Sequence, residues 1–158
     1  MIAVIVAFVL GVVVTILFWQ PEKKKLHNKI GQQHNLAEKH LDMFFLMNQW
    51  VKDYQDGKKI EKYLLDKGIR RIAIYGMSYI GETFAEELRK SQIEVAYGID
   101  NRKDDIYADF PMCCIRDDLP KVDAIVVTAI SGFESIKNDL LKKVDCEIIS
   151  LELMLYKL

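Results

Sequence analysis

Charge is absent from the first nineteen residues, cysteine is scarce, and the short signatures of common catalysts are missing. Each absence narrows what the chain can be. Cys113, Cys114 and Cys146 are odd in number, and adjacent cysteines are poor bridge partners, so no disulfide framework is expected. Reduced thiols suit the cytoplasm. Cys113-Cys114 has no second pair at zinc spacing, so all three read as small buried apolar side chains. A net charge of −1 leaves no broad basic face, which argues against nucleic acid as a partner. No H-E-x-x-H, Walker or G-x-S-x-G motif occurs. His27, His34 and His40 lie on one helical segment as solvated side chains. His27 and His34 share a face but stand too far apart along the axis for one metal, so no metal is expected. Low-complexity tracts and internal repeats are missing too.

What is present begins with the uncharged run from Met1 to Trp19, long enough to cross the hydrocarbon core as a helix. Thr15 is its only strongly polar residue before Gln20, and Trp19 suits the interface. A cleavable signal is disfavoured, because the basic cluster follows the run and no small-x-small site precedes Pro21. Residues 1–20 are therefore expected to be a transmembrane anchor, with the bilayer as partner. Lys23, Lys24, Lys25 and Lys29, against Glu22, place the C-terminal side in the cytoplasm and can touch anionic headgroups. The expected location is the cell membrane, single-pass, with a cytoplasmic C-terminal domain. The alternative is a longer helix lying in a partner's apolar groove.

Residues 21–67 read as a helical linker. Ile30, Ala37, Leu41, Phe44 and Val51 recur at threes, fours and sevens, with Asn48 in the same stripe, which predicts a helix with one buried face. That face would pack on the C-terminal domain or on membrane, or pair in a homodimer through residues 30–51, with Asn48 setting register. Asp56-Gly57-Lys58 breaks the helix, and a second short helix near Lys59 to Asp66 ends at Gly68.

Residues 68–158 change pattern. Strands are predicted at Arg71 to Tyr75, Ile93 to Ile99, Pro111 to Cys114, Val122 to Thr128 and Glu147 to Leu151. Helices are predicted after Gly76 and over Glu134 to Lys143, with a last amphipathic turn from Glu152. Strands alternating with helices imply a parallel sheet covered on both faces, a three-layer α/β Rossmann-like fold of about five strands in order 3-2-1-4-5.

Gly76-Met77-Ser78-Tyr79-Ile80-Gly81 sits between the first strand and its helix, where G-x-G-x-x-G belongs in a dinucleotide-binding fold. Gly76 permits the tight turn and Gly81 lets the helix approach the strand. Asp100, followed by Asn101, ends the second strand, where an acid would hold ribose hydroxyls. The helix N-terminus would offer amides to a phosphate. The middle glycine is Ser78, which narrows the approach of a pyrophosphate, although its hydroxyl can itself bond a phosphate. Thr128 and Ser131 follow the fourth strand at the carboxyl edge and could touch a phosphate or sugar; alternatively Ser131 caps the next helix. Tyr79 could cover a base or ring. The alternative throughout is that the glycines are structural and the pocket vestigial. Tyr63-x-x-x-Lys67 matches a dehydrogenase dyad by chance, since it precedes the first strand.

The stretches Ile72-Ala73-Ile74-Tyr75-Gly76-Met77, Tyr97-Gly98-Ile99-Asp100, Val122 to Thr128 and Ile148-Ile149-Ser150-Leu151-Glu152 resemble the Rossmann-like domains that accompany bacterial surface-polysaccharide glycosyltransferases and sugar acyltransferases. The resemblance covers most of the chain beyond about Phe44. It implies binding of NAD or a nucleotide sugar, with Gly76, Ser78, Gly81 and Asp100 in the loop and ribose positions. The partner would be a membrane-bound glycosyltransferase or other polysaccharide enzyme. The hexapeptide-repeat helix of the acyltransferases does not follow here, and a substrate-binding second half is not seen, so a non-catalytic module is expected. The alternatives are an NAD-dependent sugar-nucleotide oxidoreductase or epimerase, and a structural or regulatory interaction protein.

Overall fold

A computed structural model gives the backbone of residues 1–158 and describes the side chains of residues 1, 10, 11 and 22–158. The expected anchor, residues 1–20, falls almost wholly outside those side chains; among the described residues no helix is long and apolar enough to cross a membrane. The elements run α1 (Ile2–Gln55), α2 (Ile60–Asp66), β1 (Arg71–Tyr75), α3 (Tyr79–Leu88) and β2 (Glu94–Ile99). A single 3-10 turn (Lys103–Asp105), β3 (Met112–Cys113), β4 (Ala124–Val127), α4 (Phe133–Leu140), β5 (Glu147–Ser150) and α5 (Leu151–Leu155) follow. The chain divides into two compact units, Met1–Leu41 and Asp42–Leu158.

The first unit is helical, and its side chains from Glu22 onward are exposed. His34 and Glu38 pair across one turn at 3.2 Å.

In the second unit all five strands are parallel, in order β3-β2-β1-β4-β5, as the alternation of strand and helix predicts. Strand residues alternate between two cores, because successive side chains point to opposite faces. Ile72, Ile74, Ala124, Val126 and Ile149 face one side, where Leu46, Trp50, Leu64, Phe84 and Met154 cover them. Ala73, Ile125, Val127 and Ile148 face the other, packed with Tyr97 and Leu140. Burial on both faces explains why β4 reads as a continuous apolar run. Tyr97 carries a polar atom into the second core and donates its hydroxyl to the Pro120 carbonyl at 2.8 Å; burial pushes its pKa up to about 12. Gly68 ends α2 in the left-handed region at φ 76°, and the amides of Gly68 and Ile69 donate back to Leu65 and Leu64. Asp123, at the start of β4, accepts from the amides of Arg70 and Arg71 at 2.9 and 2.8 Å and so ties β4 to the entrance of β1.

Of the placements expected for the apolar stripe of α1, packing on the C-terminal domain is not what the structure shows. The stripe Ile30, Ala37, Leu41, Phe44, Asn48, Val51 is exposed. The residues of α1 that enter the core are Leu46 and Trp50, with Asp53 beside them and Met43 and Met47 half-buried. Asp53 made that face look polar in the sequence. Its carboxylate is buried, with Oδ1 accepting from Gln49 at 3.1 Å and pairing with Lys58 at 2.9 Å.

Candidate functional site

The crest joining β1 to α3 lies at the carboxyl edge of the sheet, where β1 stands between β2 and β4 and the crossovers leave in opposite directions. Open parallel sheets bind ligands at this switch point. Gly76 has φ 95°, a conformation that costs a side-chain-bearing residue and costs glycine little. Its amide donates to Ile99 at 2.9 Å, carrying the β1–β2 ladder one step further. The next amide, of Met77, donates to Asp100 Oδ2 at 3.0 Å, while Asp100 Oδ1 accepts from Arg102 at 2.9 Å. The Met77 side chain turns down into the core and lies over Gly98 together with Met112; a Cβ at Gly98 would meet Met112 Sδ at 2.6 Å and Met77 Cγ at 3.2 Å.

Gly81 performs the part its spacing predicts. A Cβ there would collide with the Gly76 carbonyl oxygen and stand 3.4 Å from Thr128 Oγ1, so α3 sits against the crest only because residue 81 has no side chain. Thr128 is buried, and its hydroxyl lies against the carbonyls of Tyr75 (3.1 Å) and Gly76, donating its one proton to either. Of the residues expected to meet a ligand, Gly76, Met77, Gly81, Asp100 and Thr128 are brought together and knit the crest to β2 and β4. Ser78 and Tyr79 are exposed on the crest, with Tyr79 78% accessible, and Ile80 is buried in the core. Ser78 stands at the N-cap of α3 in extended conformation with no side-chain cap bond, so its hydroxyl is free to turn outward. The first amides of α3 have no intrahelical acceptor, as at any helix start.

Asn101 is exposed in the turn after β2, with Cys114 Sγ 3.8 Å from its carbonyl oxygen. Ser131 is exposed and does not cap the next helix. Gly132, at φ 84°, occupies the N-cap of α4 without a side-chain bond, which corrects the capping alternative. Lys67 lies 5.6 Å over the Tyr63 ring and pairs with Glu147 at the amino end of β5, far along the strands from the crest. Among the described residues no group of three or more His, Cys, Asp or Glu side chains is placed to hold a metal.

Compared with known proteins, the chain matches no family model, no curated sequence and no solved structure.

Two further features escaped the sequence reading. The first is Tyr75, last residue of β1, half-buried in the second core. Burial, and then the nearby carboxylates of Asp100 and Asp139 with the Cys114 thiol, push its phenol above the ordinary range. Strand alternation could have found it, since Tyr75 must face away from Ile74. The second is a cavity of about 350 Å³ on the α3 side of β2. Its floor is Met77, Leu88, Val95 and Phe110, and Glu82, Glu86 and Asp109 stand at its rim with Arg89. Arg89 is already committed, at 2.7 Å to Asp109 and 3.0 Å to Glu86. Three carboxylates against one neutralised guanidinium make this rim unsuitable for a phosphate.

Proposed function

We propose that the chain is a non-catalytic Rossmann-like binding module, held at a membrane by its N-terminal segment. The start of α3 receives the anionic group of a nucleotide, NAD or a nucleotide sugar. The module works beside a membrane-bound glycosyltransferase or another polysaccharide-assembly enzyme. The observation that carries this reading is the closeness of Gly81 to the Gly76 carbonyl, which sets the N-terminus of α3 against the carboxyl end of β1 at the switch point. In this reading Asp100 would meet ribose hydroxyls, and the exposed Ser78 and Tyr79 would supply a hydroxyl and a ring on the crest. The test is calorimetry of the full chain in detergent micelles with NAD, NADP and UDP- and dTDP-sugars. Heat of binding that disappears in Asp100→Ala supports the proposal; no heat at millimolar ligand ends it.

A second reading has its own observation. Asp100 Oδ2 already accepts the Met77 amide, so an internal carboxylate occupies a donor that an incoming anion would use. On that reading the crest is a closed structural turn and the chain is an interaction protein with a vestigial pocket. Asp100→Ala would then loosen the fold and leave the absence of binding unchanged.

A further inference from the structure

We propose that two copies of the chain pair in parallel through the face of α1 that the fold leaves uncovered. The Asp42–Leu158 unit uses one side of its α1 segment for its own core, where Leu46, Trp50 and Asp53 are buried and Met43 is half-buried. The opposite side presents Phe44, Asn48 and Val51, with Phe44 63% accessible. Upstream in sequence the same spacing continues through Leu41, Ala37, His34, Ile30 and His27, all exposed. In a seven-residue repeat these positions alternate between a (27, 34, 41, 48) and d (30, 37, 44, 51), the pattern of a two-stranded seam. Leu46, Trp50, Asp53 and Met43 fall at c and f, on the far side, while Met47, half-buried against the core, falls at g and borders the seam.

Charge placement favours a second copy over other occupants. Between residues 27 and 54 the fixed charges are Lys29, Glu38, Lys39, Asp42, Lys52 and Asp53, and none falls at a, d or g. In a parallel in-register pair the flanking g and e positions bring Gln33 to Glu38, His40 to Phe45 and Met47 to Lys52, so no like charges meet. A helix lying on lipid would want basic residues flanking an unbroken apolar face. Here Glu38 is one flank, and Asn48, His34 and His27 interrupt the face. A single asparagine at an a position pairs with its own copy across the seam, which fixes a parallel arrangement in register.

The pairing does not depend on nucleotide binding, and its test reads mass alone. Sedimentation of the full chain in density-matched detergent at micromolar concentration is expected to give two chains per particle. Phe44→Glu combined with Val51→Glu, both at positions exposed in the single chain, is expected to give one, with unchanged far-ultraviolet dichroism. Asn48→Asp, a milder change that puts like charges face to face, is expected to give one chain as well and serves if the double variant misfolds. A wild-type particle of one chain overturns the proposal. So does a folded variant that stays at two, because a different surface is then responsible. A one-chain particle that still binds nucleotide would remove the pairing and leave the binding reading intact.

Discussion

Gly81 is the residue at which spacing and geometry agree most closely. The interval from Gly76 announced a close approach of helix and strand, and the Gly76 carbonyl is the group approached. A methyl at 81 has to displace backbone rather than a flexible side chain. Gly81→Ala is therefore expected to cost about 1–3 kcal/mol, as overpacking does, read as a lower urea midpoint for the full chain in detergent. Asp100 shows the limit of such legibility. Its position at the end of β2 was readable, but its reach back to the Met77 amide depends on the path of the crest, which spacing does not encode. Asp123 gives a pH dependence. Its carboxylate accepts two backbone amides, first that of Arg70 and then that of Arg71, which hold its pKa below the ordinary carboxyl value. A carboxyl depressed in the folded chain stabilises it fully above the unfolded pKa of about 3.9 and loses that contribution as pH falls through the lower folded value. Urea midpoints taken from neutral pH down to about pH 3 should fall less steeply for Asp123→Asn than for the native chain. Parallel curves would mean that the two amide bonds do not discriminate between folded and unfolded states.

At the level of elements, the strands were easier to read than the helix that precedes them. A four-residue run buried on both faces, such as Ala124–Val127, has no competing interpretation once glycine and helix signals flank it. The long helix has two apolar stripes, and the purer one drew the prediction. Ile30, Ala37, Leu41, Phe44 and Val51 carry no charge and only Asn48 interrupts them, yet the core takes the stripe that contains Asp53. Gln49 and Lys58, four residues before and five after, bring donors to Oδ1, while Oδ2 is buried without one; this partial compensation depends on the turn at Gly57 and cannot be seen in a hydropathy pattern. Trp50 joins this segment to α3 in two ways. Its ring meets Phe84 edge-on with centroids 6.3 Å apart, and its indole N–H donates to Glu87, whose carboxyl burial pushes up. Trp50→Phe keeps much of the apolar contact, deletes the hydrogen bond to Glu87 and leaves a smaller ring against Phe84. The expected loss is about 1–2 kcal/mol, measured by urea unfolding. A second substitution, Glu87→Gln, should cost less in the Trp50→Phe background than in the native one, because the bond it would weaken is already gone.

At the scale of the whole molecule, strand order was legible because few topologies survive once crossovers are right-handed and neighbours in sequence are neighbours in space. The extent of the folded body was less so. Composition changes at Gly68, where helix formers give way to β-branched strands, and a boundary drawn from composition falls there. Packing instead carries the body back to Asp42, because the first face of the sheet needs Leu46, Trp50, Ile60 and Leu64 to cover it. Truncation separates these two boundaries. A chain of residues 42–158 keeps every one of those side chains and is expected to unfold cooperatively. A chain of residues 58–158 loses Leu46 and Trp50 together. Removing one large buried side chain costs about 2–5 kcal/mol, so losing the pair consumes much of the roughly 5–15 kcal/mol that holds a domain together. That shorter chain should show exposed apolar surface by dye binding and a broadened, early unfolding transition. If it instead melted as sharply and as late as residues 42–158, the end of α1 would be an appendage resting on a self-sufficient sheet, and its two buried apolar side chains would contribute nothing the sheet requires.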